Sequence, residues 1–299
     1  MKIAISGPSG LIGSHLVTAL AARGHDMLPM VRHSPAAPTE IGWDPATGLT
    51  TPERMEGVDA LIHLAGVNLA SGRWTAARKA AFRESRVDAT ARLCESLLKL
   101  DHSPPRVLCA SAIGYYGWDG DQEADEATGP GGGFLADLTR DWEAASAPLD
   151  GAGVARTCFR LGAVLSREGG ALAKMLPVFR LGLGGPLGHG RQPFSWIHIA
   201  DVEGIVAHLL ERPDLTGPVN ATAPEPVTNR EFVRALGRAL RRPAVLPAPA
   251  FALRLLLGEM ADEMLLHGAR VLPRRLLDHG YTFRFPALDE ALADLLNHG

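Results

Sequence analysis

The first residues contain the feature that most restricts how this chain can fold. A short apolar run, Lys2–Ser6, leads into the turn Gly7-Pro-Ser-Gly10-Leu-Ile-Gly13, and apolar residues then recur at helical spacing through Arg23. Such a turn lets the backbone approach a pyrophosphate, and its last glycine lets the helix pack closely on the strand. Free N–H groups at the helix start would then face the phosphates. The spacing predicts a dinucleotide site; the alternative is a tight turn that binds nothing.

The end of the second predicted strand, Asp26–Val31, indicates which dinucleotide is preferred. NAD-binding proteins usually place an acidic residue there to hold the ribose 2′-hydroxyl. Here Val31 takes that position and Arg32 follows. A guanidinium can pair with a 2′-phosphate through two charged hydrogen bonds. The sequence therefore favours NADP(H), with Arg32 reading the phosphate; the alternative is a solvated surface arginine.

The rest of the chain alternates short apolar runs with helical patterns. This alternation predicts an α/β protein with a Rossmann-type, doubly wound parallel sheet and a smaller C-terminal lobe. Further strands are expected at Val58–Leu64, Arg106–Ser111 and Val154–Leu161. Further helices are expected at Ala76–Leu100, Leu135–Ala147, Ile199–Glu211, Asn229–Arg241 and Phe251–Leu257.

Three segments are expected. Residues 1–165, with parts of 190–225, form the NADP(H)-binding domain. Residues 166–246 form a substrate-side segment that returns to the sheet, and residues 247–299 form a small C-terminal domain. The glycine-rich stretch Gly169–Gly190 is interpreted as a loop, either a mobile lid or a rigid bend. Arg180 and Arg191 flank its second half and offer contacts to an anionic group.

The composition excludes several classes of function. The formal net charge is −3 and no long basic run occurs, which argues against a nucleic-acid partner. The three cysteines lack CxxC spacing, so neither a disulfide framework nor a metal site is expected. No uninterrupted apolar stretch is long enough to span a membrane, and the N-terminal run is too short for a signal peptide. A cytoplasmic protein is the expectation.

Several segments together resemble a known family. HLAG (His63–Gly66), FSWIHIAD followed by VEGIVAHLLE, and GPVNAT resemble segments of extended short-chain dehydrogenases/reductases. With RWTAARKAAFRESRVDAT, SAIGYYG, WEAA and LPRRLLDHGYTFRFP, the chain is similar over essentially its whole length to an atypical branch, the "epimerase family". Members are often labelled nucleoside-diphosphate-sugar epimerases and carry a C-terminal domain of unknown function, which would match about residues 247–296.

The resemblance implies a set of cofactor contacts. The loop after Arg160 should pass the nicotinamide, and Arg86 should lie beneath the cofactor, with an exposed helical charge as the alternative. His198 is expected to tether a strand to the following helix. The implied cofactor-binding residues are Gly7, Gly10, Leu11, Ile12, Gly13, Arg32, Leu64, Ala65, Arg86 and Arg160.

The catalytic pattern of such enzymes is incomplete in this chain. Standard members use a tyrosine whose pKa is lowered by a lysine four residues later. None of the three tyrosines has a lysine at that spacing, and the resemblance puts the two positions near Phe134 and Leu138. Ser111 remains at a strand end, and Tyr115 and Tyr116 follow it. These three are the candidate catalytic residues, with pocket lining as the alternative role for the tyrosines.

Two functions fit these observations. The first is an NADP(H)-dependent oxidoreductase or epimerase-like enzyme that acts on a small polar substrate, with a nucleotide sugar as one candidate. The second is an NADPH-binding sensor or scaffold without turnover. A homodimer is the expected assembly if the chain does not act as a monomer.

Overall fold

A large twisted sheet organises the chain. The computed structural model describes residues 1–117 and 122–297. In that part of the chain the strands are β1 (Lys2–Ser6), β2 (Asp26–Val31), β3 (Ile41–Asp44), β4 (Gly48–Leu49), β5 (Ala60–His63), β6 (Arg106–Ala112), β7 (Glu123–Ala124), β8 (Ala155–Leu161), β9 (Ala163–Leu165), β10 (Pro193–Phe194), β11 (Trp196–His198), β12 (Gly217–Ala221), β13 (Val227–Thr228) and β14 (Arg270–Val271).

Eight of these described strands form the main sheet, in the order β12-β8-β6-β5-β1-β2-β3-β4. All neighbours run parallel except β3 and β4. From β1 the chain first adds strands on one side and then crosses to β5 on the other. Ligands bind such sheets beside the carboxyl ends of the strands at this switch point. The fold therefore directs attention to the ends of β1 and β5.

Helices cover both faces of the sheet. The described α-helices are α1 (Leu11–Ala22), α2 (Ala76–Arg83), α3 (Ala89–Leu97), α4 (Phe134–Ser146), α5 (Pro148–Gly151), α6 (Gly170–Arg180), α7 (Ile199–Glu211), α8 (Asn229–Leu240), α9 (Ala250–Leu257), α10 (Glu259–Ala261), α11 (Arg274–Asp278) and α12 (Leu288–Asn297). Shorter 3₁₀ or π segments are Pro52–Met55, Glu84–Asp88, Ile113–Tyr116 and Asp262–Leu266.

Alternation along β1 explains why the sheet needs two covering layers. Ile3 and Ile5 belong to a buried cluster with residues of α1 and α7, while Ala4 belongs to a second cluster with residues of α3. Successive side chains of a strand point to opposite faces, so both faces of this strand are apolar and buried. The α/β Rossmann-type fold class is confirmed.

The structure contains elements that the sequence did not predict, α12 among them, and it corrects one predicted loop. The strands β3 and β4 were not predicted, because they are too short to show a periodic pattern. The interpretation of Gly169–Gly190 as one loop was wrong, since Gly170–Arg180 forms α6. The run of alanine, leucine and methionine after Gly170 favours a helix, and the glycines at both ends obscured it. Arg180 and Arg191 are both exposed.

The C-terminal region is fastened to the sheet by the first turn of α7. The carboxylate of Asp201, fully buried, accepts hydrogen bonds from the backbone N–H groups of Arg284 (2.7 Å) and Phe285 (2.9 Å). His198 caps the same helix, because its Nδ1 accepts from the backbone N–H of Ala200. The predicted tether at His198 is thus confirmed, whereas the boundaries near 165 and 246 stay predictions.

Residues 1–117 and 122–297 contain neither a helix that could span a membrane nor a cluster that could bind a metal. No helix there is long and apolar enough to cross a membrane. No group of three or more His, Cys, Asp or Glu side chains there could hold a metal ion. The three cysteines are buried and unpaired, as expected for thiols that pack in the core.

Candidate functional site

A cavity of about 550 Å³ opens at the carboxyl ends of β1, β5, β6 and β8. Its size lies in the range typical of small-molecule sites. The structure brings together in its lining eight of the residues that sequence reasoning singled out: Gly7, Gly10, Leu11, Ile12, Gly13, Leu64, Arg86 and Ser111. Residues from distant parts of the chain thus meet at the switch point of the sheet.

The glycine turn has the geometry that a close backbone approach requires. Gly7 has φ +70°, a conformation that residues with a side chain rarely adopt. A Cβ on Gly13 would lie 2.1 Å from the carbonyl oxygen of Gly7, so only glycine fits there. Gly10 precedes α1 and provides no side-chain cap. The first N–H groups of α1 therefore remain available beside the cavity, with the positive end of the helix dipole.

Arg86 supplies a positive charge to this cavity. It lies in the π segment Glu84–Asp88, and only 9% of the residue is exposed. Its Nη1 donates to the carbonyl of Val67 (2.9 Å), and its Cζ lies 5.2 Å from the ring centre of Trp142. Burial lowers its pKa to about 10. No acidic side chain in the described chain forms an ion pair with it, so the site carries a charge that an anion would balance.

Two other predicted cofactor residues lie at the margin of the cavity. Ala65 follows the end of β5, where its N–H donates to the Ser6 hydroxyl (3.3 Å), but the residue is not part of the lining. Arg32 directly follows β2, is exposed, and is also outside the lining. Its position beyond the end of β2 is the one expected for a residue that reads the adenosine end of a dinucleotide.

A buried polar network lies behind Ser111. The Ser111 hydroxyl donates to Oε1 of Glu143 (2.5 Å). Arg160 binds the same carboxylate with two nitrogens, each at 2.7 Å. Its third nitrogen donates to the Tyr116 hydroxyl (2.9 Å), which donates to Oδ1 of Asn220 (2.8 Å). This chain of charge-assisted bonds fixes the direction of the Ser111 O–H.

The network corrects the sequence expectation for three residues. Tyr115, Tyr116 and Arg160 are not part of the cavity lining in the described chain. Tyr116 is only 2% exposed, and burial raises its pKa to about 12, opposite to what a proton-transferring tyrosine needs. The Arg160 guanidinium lies 3.5 Å from the ring centre of Tyr115 and is already occupied by Glu143. The structure thus places these three outside the cavity lining.

The positions at which the resemblance would place the tyrosine and lysine are apolar. Phe134 begins α4, and Leu138 is buried in the cavity wall. The carboxylate of Glu263 accepts from the backbone N–H groups of Phe134 (3.1 Å) and Leu135 (3.0 Å). A carboxylate at a helix N-terminus stabilises the helix. The C-terminal region therefore positions α4, and neither of the two positions, Phe134 and Leu138, carries an acid–base group.

His63 links the glycine turn to the layer of helices behind the sheet. Its Nδ1 lies 2.7 Å from the Ser6 hydroxyl, which accepts from the backbone N–H of Leu64 (3.0 Å). Its Nε2 lies 3.0 Å from Oγ1 of Thr90. Burial lowers the pKa of His63 to about 4, from an ordinary value of 6.5. The ring is therefore neutral in the folded protein at neutral pH.

Acid should destabilise the fold through His63. Between pH 6.5 and about 4 the unfolded chain binds a proton at this residue and the folded chain does not. Stability is therefore full above pH 6.5 and falls as pH approaches 4, by about 3 kcal/mol in total. Urea unfolding across this range should show a shallower pH slope for His63→Gln than for the parent. His102→Gln, at an exposed site, is the control; equal slopes for the parent and His63→Gln would contradict the prediction.

Sequence reasoning missed three residues that shape this site. Glu143 follows Trp142 in the WEAA segment, but nothing in the sequence shows that it pairs with Arg160. Gln192 and Glu263 line the cavity from segments that are far from the glycine turn in the sequence. A lone polar residue in a proline- and glycine-rich segment has no pattern that predicts such a position.

Comparisons with known proteins agree with this architecture. A model of the NAD dependent epimerase/dehydratase family matches residues 3–221. A model of a domain of unknown function, DUF1731, matches residues 248–295. An epimerase family protein from Mycobacterium bovis is 44% identical over 290 residues, which are 97% of this chain and 96% of that protein.

Two solved structures are similar over nearly the whole chain. The crystal structure of the human epimerase family protein SDR39U1 with NADPH is 36% identical, covers 100% of both chains and superposes with a TM-score of 0.92. A nucleoside-diphosphate sugar epimerase from Corynebacterium glutamicum is 32% identical with a TM-score of 0.80, and covers 99% of this chain and 58% of its own. The chain belongs to the NAD dependent epimerase/dehydratase family.

Proposed function

We propose that this protein binds NADP(H) in the cavity and uses it to transfer hydride to or from a small polar substrate, as an oxidoreductase or epimerase-like enzyme. The observation that carries the proposal is the meeting of an uncapped helix start with the unpaired, buried Arg86 in one cavity. Both favour the diphosphate of a dinucleotide. The human relative that was crystallised with NADPH supports this choice.

Arg32→Glu tests the choice between the two coenzymes. We expect NADPH affinity to fall about ten- to a hundredfold, because charged hydrogen bonds to the 2′-phosphate are lost and replaced by repulsion. Affinity for NADH should be kept or raised, because a carboxylate suits the free 2′-hydroxyl. Both affinities are measured by fluorescence titration. Arg242→Glu, at another exposed arginine, should change neither. Equal loss of both coenzymes in Arg32→Glu would show that Arg32 does not read the phosphate.

The proposed chemistry relies on Ser111 and Glu143 in place of a tyrosine–lysine pair. The nicotinamide, when bound, supplies the hydride acceptor or donor. A substrate hydroxyl that lies against Ser111 would give its proton to the serine oxygen, and the serine proton would pass to the Glu143 carboxylate. The reverse transfer would serve carbonyl reduction. Ser111 is thus the proposed catalytic residue, and Glu143 acts through it.

The alternative, a sensor or scaffold without turnover, is favoured by the lack of an acid–base side chain at Phe134 and Leu138. Consumption of bound NADPH on addition of small carbonyl compounds separates the two functions. The Ser111→Ala variant should bind NADPH normally and lose that consumption. If the parent binds NADPH but consumes it with no carbonyl compound, the sensor or scaffold function is supported instead. The homodimer and the cytoplasmic location stay predictions.

A further inference from the structure

One side of the cavity is built by segments that lie far from the glycine turn in the sequence. Residues 192–195, 263–265 and 267–269 form it, and we call it the substrate side of the cavity; its polar side chains are Gln192, Ser195, Glu263 and His267. The other side chains on this side are apolar. The few polar atoms on this side therefore decide which ligand groups can be held there.

Gln192 presents an unused hydrogen-bond acceptor on this side. The residue is 6% exposed, and its Nε2 donates to the carbonyls of Leu187 (3.1 Å) and Leu265 (2.8 Å). Two carbonyl partners fix the orientation of the amide, because only its NH₂ end can donate to them. Its Oε1 is buried and has no partner. A buried acceptor without a donor is unfavourable, so a small shift of the Gln192 side chain that lets Oε1 accept from a ligand O–H or N–H would be offset by the bond formed.

Ser111 presents a second acceptor. Its proton is committed to Oε1 of Glu143, and both oxygens of Glu143 also accept from Arg160. In this arrangement the serine oxygen accepts from a ligand in the cavity; it donates to a ligand only in the reverse proton transfer proposed above. An acceptor at this point favours a ligand that bears a hydroxyl.

The charges in the lining disfavour an anionic substrate. Arg86 is the only arginine or lysine among the described lining residues, and the proposed function assigns it to the cofactor phosphates. On the substrate side the lining includes the acidic residue Glu263, and it includes His267, whose Nε2 lies 3.5 Å from Oδ1 of Asp262. A substrate diphosphate would meet a like charge and find no guanidinium to pair with it.

We propose that the substrate side of this cavity takes a neutral, hydroxyl-bearing molecule that donates to Gln192 and Ser111, and that it rejects nucleoside diphosphates. The inference rests on the proposed function, because it assumes that the coenzyme occupies Arg86 and the glycine turn. It narrows the small polar substrate to one chemical class. It also distinguishes this cavity from a nucleotide-sugar site, which the names of some relatives would suggest.

The test uses the full chain saturated with NADP⁺, after NADP⁺ binding has been measured separately. Two probes are titrated to their solubility limits, the cyclic diol trans-1,2-cyclohexanediol and the nucleotide sugar UDP-glucose. Binding is read by calorimetry, and oxidation of the diol by the appearance of NADPH. We expect the diol to bind or be oxidised and UDP-glucose to do neither.

Gln192→Leu should weaken diol binding about ten- to a hundredfold, because the acceptor is lost, and should leave NADP⁺ affinity unchanged. The chain's other glutamine, Gln122, is exposed and outside the cavity lining, so Gln122→Leu is the matched control. Ser111→Ala should weaken diol binding in the same way. It serves as the test if Gln192→Leu fails to fold.

Three results would each overturn the inference while leaving coenzyme binding intact. UDP-glucose could bind to the NADP⁺ complex, or the diol could give no response. The third is a diol affinity that is equal in the parent, Gln192→Leu and Ser111→Ala. Failure of NADP⁺ itself to bind would instead refute the proposed function.

Discussion

Glu143→Gln is expected to lower the free energy of unfolding by about 3–5 kcal/mol, the typical cost of breaking a buried ion pair from one side. Arg160 has only 3% of its side chain exposed and binds both carboxylate oxygens of Glu143. The neutral amide leaves the guanidinium charge buried without a counter-charge. The change is measured by urea unfolding at neutral pH. Once the Glu143 carboxylate is gone, Arg160 keeps its bond to the Tyr116 hydroxyl, and this neutral partner cannot compensate a full charge.

The same helix supplies the control for this prediction. Asp141 lies two residues before Glu143 and pairs with Arg83 at the surface, where 28% and 44% of the two side chains are exposed. Asp141→Asn should cost no more than about 1 kcal/mol, because solvent screens such pairs. If the two substitutions destabilise the protein equally, the network behind Ser111 does not hold the fold together as described.

Glu143→Gln also has a consequence that a purely structural role would not produce. An amide can donate to the Ser111 oxygen, and the serine proton is then free to turn toward the cavity. NADPH affinity should remain as in the parent, whereas ligands that donate to Ser111 should bind more weakly than ligands that accept from it. A loss of NADPH affinity would mean that the network supports the coenzyme site directly.

The parts of this protein that could be predicted from the sequence are those with local causes. Gly7 and Gly13 are needed by the turn itself, and the strand before them and the helix after them follow from apolar spacing. The strand Asp26–Val31 was predicted with the observed limits. Pro29, which lacks a donor, explains why pairing with β3 begins only at Met30.

The parts that could not be predicted depend on long-range pairing. Arg160 follows a recognisable strand and looked like a cofactor residue, but its guanidinium turns away because Glu143, on another element, offers two oxygens. Tyr116 follows Ser111 closely in sequence, and the 3₁₀ turn Ile113–Tyr116 carries it out of the cavity lining. Sequence spacing gives the position of a residue on its own element and not the partner it finds.

Arg86→Met is expected to weaken the binding of NADPH and NADH alike by about a hundredfold, in line with the loss of a buried charge contact. The proposed role of Arg86 lies with the diphosphate that the two coenzymes share. Its guanidinium is desolvated and forms one bond to the Val67 carbonyl, without a carboxylate partner in the described chain. The free protein therefore bears a cost for this charge that coenzyme binding offsets.

This cost gives Arg86→Met a second, opposite effect. Without nucleotide, the variant should melt at the same temperature as the parent or higher, because methionine fills similar space without a buried charge. Coenzyme titration and calorimetry of the free protein measure the two effects. Arg83→Met, at an exposed arginine three residues earlier, should leave both affinities unchanged. A clear fall in melting temperature with unchanged affinity would make Arg86 a structural residue. Loss of both coenzymes together would distinguish it from Arg32, whose replacement should affect NADPH alone.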